Sequence, residues 1–173
     1  ASTPNYSIDF SVTMGDGLDP FSAYDENGNI KAMKQMGLQL TTSSSIDNLK
    51  YSYYANTNKL KSVVDLNNEA TTTLGDFRSS QLYQTILGND KKNPNLDYTD
   101  YTYDLNGNLK KDLNKDIGDA TTEGIEYNHL NLPVKITVKN SNGTKGIITY
   151  VYDATGVKLE KRVQDNTNST NPY

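Results

Sequence analysis

The sequence predicts an all-β fold of tandem antiparallel hairpins forming one curved, meandering sheet. The apolar residues recur in short alternating strings, as strands with one buried face require. Asn and Gly separate these strings, and Asn-Gly between alternating apolar positions is the strongest short signal of a hairpin. Thirteen tyrosines supply large side chains to a chain that is only 34% hydrophobic, so we expect a thin core rather than a thick globular interior.

Composition excludes several classes of function. The 173 residues carry a net charge of -4 and the pI is about 4.9, which is unfavourable for a nucleic-acid partner. No apolar run approaches the roughly 18 residues that a membrane helix needs. Cysteine is absent, which rules out disulfides and cysteine-based zinc sites.

Five segments resemble one another when they are aligned on a tyrosine. Each reads as a strand, a turn rich in Asn, and a second strand. The predicted hairpins lie near residues 23–33, 49–64, 100–113, 125–138 and 148–163. Tyr103, Tyr127 and Tyr152 follow one another at steps of 24 and 25 residues. We therefore predict a single repeat domain over residues 1–163, followed by a polar tail at residues 164–173.

The third repeat allows a prediction of strand register. If residues 105–107 form a three-residue loop with Gly107 in the left-handed conformation, Tyr103 pairs with Leu109. The further pairs are then Tyr101 with Lys111 and Thr99 with Leu113. A two-residue loop would shift the register by one and place Leu109 on the opposite face. The same rule predicts the pairs Tyr24–Ile30, Tyr53–Leu60, Tyr127–Val134 and Tyr152–Leu159.

The least regular part of the chain lies between the second and third repeats. In residues 71–90, apolar side chains that include Leu82 and Tyr83 would face one side of a short helix. We predict this helix around residues 79–88, ended by Gly88, with a strand as the competing interpretation.

Candidate chemical sites are few. Asp25, Asn27 and Gly28 match part of a calcium loop, as do Asp104, Asn106 and Gly107. Both stretches lack a ligand at the first and last positions of that loop, and turn chemistry accounts for the residues. His129 is the only histidine and falls in a predicted turn. The sequence thus indicates no catalytic, cofactor-binding or metal-binding residues and no enzyme.

The turn residues resemble a known repeat. The stretches are Tyr24-Asp25-x-x-Gly28, Tyr103-Asp104-x-x-Gly107 and Tyr152-Asp153-x-x-Gly156, and they look like the YD repeat of RHS proteins. Residues 100–137 are similar to RHS proteins of Bacteroidetes-type bacteria. The second and fourth repeats depart from the motif, with Asn128 and Asn131 replacing the Asp and Gly of the fourth.

This resemblance implies a structural role outside the cell. In the family, hairpins join into a hollow shell that encloses a variable C-terminal domain, often a toxin, or that serves in adhesion. It implies a bacterial extracellular or cell-surface location, with adjoining repeats and an enclosed domain of the same protein as partners. Two alternatives remain. One is a carbohydrate-binding module with exposed tyrosines and a surface glycan as its ligand. The other is a small hydrolase with two carboxylates in a cleft.

Overall fold

The fold is all-β and antiparallel, as predicted, in a computed structural model that describes residues 8–39, 42–67, 75–87, 93 and 95–167. The strands are β1 (Val12–Met14), β2 (Ala32–Gln39), β3 (Thr42–Tyr53), β4 (Leu60–Asp65), β5 (Tyr101–Tyr103), β6 (Leu109–Asp112), β7 (Ile125–Tyr127), β8 (Pro133–Asn140), β9 (Gly143–Tyr152) and β10 (Lys158–Asp165). The helices are α1 (Pro20–Ala23) and α2 (Gln81–Leu87), with a 3₁₀ turn at Leu113–Lys115.

The chain divides into two compact units, one of residues 1–78 and 90–98 and the other of residues 79–89 and 99–173. The first contains a four-stranded sheet in the order β1-β2-β3-β4. The second contains the hairpin β5-β6 and a four-stranded sheet in the order β10-β9-β8-β7. The sequence predicted one continuous sheet, whereas the described strands form two four-stranded sheets and one two-stranded hairpin. In the second unit β6 ends where the 3₁₀ turn begins, and Ile117 bridges the turn to Val138 of β8.

The loop predicted for the third repeat is confirmed. Gly107 has φ of 87°, and the Asp104 N–H donates to the Asn108 carbonyl at 2.9 Å. The predicted pairs Tyr24–Ile30, Tyr53–Leu60 and Tyr103–Leu109 are all present. Directly paired residues share a sheet face, so each of these tyrosines lies on the same face as its aliphatic partner.

β-bulges explain why the other predicted strand pairs are wrong. Four hairpins carry one extra residue next to the first pair after the turn, and these residues are Lys61, Lys110, Val134 and Leu159. The corrected pairs are Tyr101 with Asp112, Tyr127 with Pro133 and Tyr152 with Lys158. Leu113 lies beyond β6 and its N–H donates to the Asp100 carbonyl, so the predicted pair Thr99–Leu113 is also wrong. The alternation of apolar residues did not locate these bulges, because each adds one residue outside the pairing and its position depends on the partner strand.

Both cores are small. Among the described residues, the buried apolar side chains of the first unit are Ala23, Ala32, Ile46, Leu49, Val63 and Val64, and those of the second are Tyr83 and Ile125. The predicted short helix is confirmed as α2, which buries Tyr83. Gly88, predicted to end this helix, lies outside the described residues. The prediction of a single domain over residues 1–163 stays a prediction, and β10 continues to Asp165.

Replacing Gly28 with alanine should lower the free energy of unfolding by about 1 kcal/mol. Gly28 has φ of 81°, and a Cβ built there meets no heavy atom within 4 Å, so the cost is backbone strain alone. Urea denaturation measures it. Glu26→Ala, at an exposed position of the same turn, should change the free energy by less than about 0.5 kcal/mol. Equal effects of the two changes would contradict a left-handed residue at this position.

Candidate functional site: the tyrosine seam

Each hairpin turn is closed by a side chain that binds its own backbone. Oδ1 of Asp25 accepts the N–H groups of Asn27 at 2.9 Å and Asn29 at 2.8 Å. The side chain of Asn29 donates to Oδ2 of Asp25, and this hydrogen bond is the main cause of the lowered pKa of that carboxyl. Asp104 and Asp153 accept from their turns in the same way, also with lowered pKa values. The residues that resemble a calcium loop therefore perform turn chemistry, as the sequence indicated.

The fourth hairpin makes the same turn with different residues. Oδ1 of Asn128 accepts the N–H groups of Leu130 and Leu132, both at 3.0 Å. Asn131 stands where the first, third and fifth repeats have glycine and has φ of 59°, a conformation that Asn tolerates better than most residues. The departures from the YD motif in this repeat thus preserve its turn geometry.

Successive hairpins are joined by a tyrosine hydroxyl. Tyr53 donates to the Ile30 carbonyl at 2.9 Å, Tyr127 to the Leu109 carbonyl at 2.8 Å, and Tyr152 to the Pro133 carbonyl at 2.9 Å. Each acceptor is the residue paired with the tyrosine of the preceding hairpin. We call these three hydroxyl–carbonyl contacts the tyrosine seam. Burial raises the pKa values of Tyr53 and Tyr127, as expected where ionisation would be disfavoured.

The turn tips reinforce the seam. In the first unit Asn29 donates to the side chain of Asn58 at 3.0 Å. In the second unit Asn106 and Asn108 both donate to Oδ1 of Asn131 at 2.9 Å. Neighbouring hairpins are therefore linked at their tips through amide side chains, in addition to the hydroxyl contacts.

Helix α2 is anchored by a buried polar network. The Tyr83 hydroxyl donates to Oδ1 of Asp100 at 2.9 Å, and Nδ2 of Asn114 donates to Oδ2 of Asp100 at 3.1 Å. Ser79 donates to Oδ1 of Asn114 at 2.8 Å. Asp100 and Asn114 are almost completely buried, so this network occupies part of the interior of the second unit. Burial also raises the pKa of the neighbouring Tyr101.

One shallow groove in the first unit combines aromatic and polar side chains. Its lining includes Tyr51, Tyr53 and Tyr54 from the second hairpin, with Asp25 and Asn27 from the turn of the first. The three tyrosines are partly exposed. A tyrosine ring next to carboxylate and amide groups presents an apolar face and hydrogen-bonding atoms to the same ligand.

The carboxyl groups with raised pKa values lie away from the pockets described for this chain. Burial is the main cause of the raised pKa at Asp47, Asp65 and Asp112. None of the three lines the four best-formed pockets within the described residues. His129 is exposed in the turn of the fourth hairpin. Within the part of the chain that is described, no helix is long and apolar enough to cross a membrane.

The sequence suggested the positions of the seam but not its contacts. Tyrosines recur at steps of 24 and 25 residues in the last three repeats, which indicates one structural role. The partner of each hydroxyl is a main-chain carbonyl in another hairpin, and main-chain groups leave no signature in residue identity.

Removing a seam hydroxyl should destabilise the second unit. Tyr127→Phe or Tyr152→Phe leaves a carbonyl without its donor and should cost about 1 kcal/mol of unfolding free energy each. Tyr24→Phe is the matched control, since among the described residues no hydrogen bond involves the hydroxyl of this exposed tyrosine. Chemical denaturation measures all three. A cost for Tyr24→Phe as large as for the other two would mean that the hydroxyl contacts contribute nothing specific.

Comparison with protein-family models, curated proteins and solved structures finds no match to this chain. The resemblance of its turns to the YD repeat accordingly rests on the motif residues alone, and the arrangement of its hairpins rests on the contacts described above.

Proposed function

We propose that this chain is a non-enzymatic structural segment of a larger secreted or cell-surface protein of the YD-repeat type. It would form part of a wall that encloses or presents another domain of the same protein. The observation that carries the proposal is the tyrosine seam, in which the tyrosine of one hairpin donates to the carbonyl of the hairpin before it. Such a contact serves to stack hairpins in series.

The last strand supports an adjoining repeat as the partner. β10 is an edge strand of its sheet, and Leu159 and Val163 on it are 64% and 51% exposed. An edge strand offers unpaired N–H and C=O groups to another strand. A repeat unit buries its apolar face only against its neighbours, so a further hairpin beyond β10 would cover both features.

The distribution of acidic groups supports a scaffold rather than a hydrolase. A two-carboxylate mechanism needs an acidic pair in a cleft, with at least one group desolvated. The desolvated groups Asp47, Asp65 and Asp112 stand apart from the four described pockets. The enclosed domain, the extracellular location and the link to toxin delivery or adhesion come from the motif resemblance.

Adding one repeat to the end of the chain tests the wall. A second copy of residues 141–165 placed directly after Asp165 continues the spacing of the last two hairpins. We expect its first strand to pair with β10 and to slow hydrogen exchange at the β10 amides by roughly tenfold or more. Exchange measured by NMR or mass spectrometry reports this protection.

The control is the same extension carrying Tyr152→Ala within the appended copy, which removes the seam contact to the preceding hairpin. This variant should show less protection of β10. Unchanged exchange with the intact extension would contradict the wall, and so would a gene whose flanking sequence encodes no further repeats.

A second candidate function is carbohydrate binding, and the groove lined by Tyr51, Tyr53 and Tyr54 favours it. Sugar rings stack on aromatic faces while their hydroxyls bond carboxylates and amides. Burial raises the pKa of the Tyr51 and Tyr53 hydroxyls. The Tyr53 hydroxyl also donates a hydrogen bond to the Ile30 carbonyl. All three rings are partly exposed, and Tyr54 is the ring to test because its substitution leaves the Tyr53–Ile30 contact in place.

A glycan array at high protein concentration tests this second candidate. For any glycan that binds, Tyr54→Ala should weaken the affinity by about tenfold, the equivalent of roughly 1.4 kcal/mol. Tyr150→Ala, which alters a ring in the other unit, should leave the affinity unchanged. An array without hits would count against carbohydrate binding and would leave the structural role intact.

A further inference from the structure

Three carboxylates converge inside the first unit. Asp47 lies on β3, Asp65 ends β4, and Asp76 follows later in the chain. One oxygen of each side chain lies within 4.8 Å of the others. All three side chains are buried, with Asp47 and Asp65 each 4% exposed and the Asp76 side chain 1% exposed.

The protein supplies hydrogen bonds to only part of this group, which we call the aspartate cluster. Oδ1 of Asp65 accepts the N–H groups of Asn48 and Asn67, both at 2.9 Å. Oδ1 of Asp47 accepts the Phe77 N–H at 2.8 Å, and Oδ2 of Asp76 accepts from Nε of Arg78 at 2.6 Å.

Two carboxylate oxygens in the aspartate cluster have no such partner. Oδ2 of Asp65 and Oδ1 of Asp76 are both buried, and neither accepts a hydrogen bond from any described group. Such oxygens are costly, because burial removes their water and nothing replaces it. They belong to side chains that are more than nine-tenths buried, and they are independent evidence that a positive group completes the cluster.

The charge balance points the same way. Within the described residues, the basic side chain paired with the three carboxylates is Arg78, which binds Asp76, so these described groups together carry an excess of negative charge when ionised. Burial raises the pKa of Asp65 to about 6, and the adjacent Asp76 and the charge of Asp47 add to this rise.

We propose that Asp47, Asp65 and Asp76 bind a hard divalent cation, with Ca²⁺ preferred. Carboxylate oxygens are the donors that Ca²⁺ selects, at 2.3–2.6 Å, and two oxygens on one such ion can lie up to about 5 Å apart. One ion can therefore reach all three side chains. Mg²⁺ requires a strict octahedron of shorter bonds and gives up its water reluctantly, so a site built from three protein carboxylates suits Ca²⁺ better.

The proposed ion would act as a structural clamp in the first unit. It would join the β3–β4 hairpin to the segment at Asp76, in addition to the Phe77 N–H that already binds Asp47. Water would fill the remaining coordination positions, since Ca²⁺ takes 6–8 oxygen ligands. This role is separate from the proposed wall, which depends on the tyrosine seam.

Thermal unfolding of the chelator-treated chain at pH 7.5 tests the clamp. Addition of 1 mM CaCl₂ should raise the unfolding midpoint by several degrees, because a ligand that binds only the folded state stabilises it. The same concentration of MgCl₂ should produce a smaller shift. Calorimetric titration with CaCl₂ should give a matching binding signal with one site.

Two variants separate binding from folding. Asp65→Asn keeps an oxygen for the two amides and removes one of the three negative charges, so this variant should remain folded and lose the response to Ca²⁺. Asp112→Asn is the matched control. Asp112 also has a raised pKa and an unpartnered buried oxygen, but it lies in the second unit, and its variant should keep the full response.

The dependence on pH has a definite sign. The pKa of the Asp65 carboxyl is about 6 in the folded chain and near 3.8 in the unfolded chain. Without metal, protonation of this carboxyl therefore stabilises the folded state increasingly as the pH falls from about 6 to about 3.8. The Ca²⁺-induced shift should shrink over the same range, because protons compete for the same oxygens. A shift that is absent at pH 7.5, equal for Mg²⁺ and Ca²⁺, or retained in Asp65→Asn would each overturn the proposal.

Discussion

A half-buried tyrosine hydroxyl needs an acceptor, and in three hairpins it finds the main-chain carbonyl of the hairpin before. Each carbonyl belongs to the first residue paired after a turn, so the turn geometry fixes where the acceptor lies. Pro133 illustrates this dependence. It has no N–H to contribute to a sheet, yet it serves the tyrosine seam, because only its carbonyl is used.

The seam joins successive hairpins of a polar chain by hydrogen bonds where little apolar surface is buried. In the described part of the chain, the first unit buries six small or aliphatic side chains and the second buries Tyr83 and Ile125. Hydrogen-bonded polar groups occupy another part of the interior of the second unit. Asp100 and Asn114 are nearly inaccessible and fully engaged with one another and with Tyr83. Such networks stabilise an interior only when every member is satisfied, and this one brings α2 and the 3₁₀ turn together.

The aspartate cluster differs from that network in the balance of donors and acceptors. Asp100 accepts hydrogen bonds from a tyrosine hydroxyl and an amide, whereas Asp65 and Asp76 each keep a buried oxygen with no described donor. A bound cation supplies what the surrounding residues do not. The same chain thus stabilises buried carboxylates by hydrogen bonding in one unit and, in our proposal, by metal binding in the other.

The sequence by itself determined the class of fold and the position of each hairpin. Alternating apolar residues and Asn-Gly turns are local signals, and they correctly predicted the pairs at Tyr24, Tyr53 and Tyr103 and the helix that contains Tyr83. Gly107 can adopt its positive φ because glycine has no Cβ, and the glycine of the Asn-Gly turn already predicts this conformation from the sequence.

Only the tertiary structure decided the bulges, the seam and the aspartate cluster. An inserted residue such as Val134 or Leu159 moved the partner of its tyrosine by one position, although the alternation favoured the aliphatic residue. Asp47, Asp65 and Asp76 are up to 29 residues apart in the sequence and fall in three different segments, so spacing does not associate them. Their proximity depends on how β3, β4 and the segment at Asp76 pack, and packing between distant segments is not encoded in any local pattern.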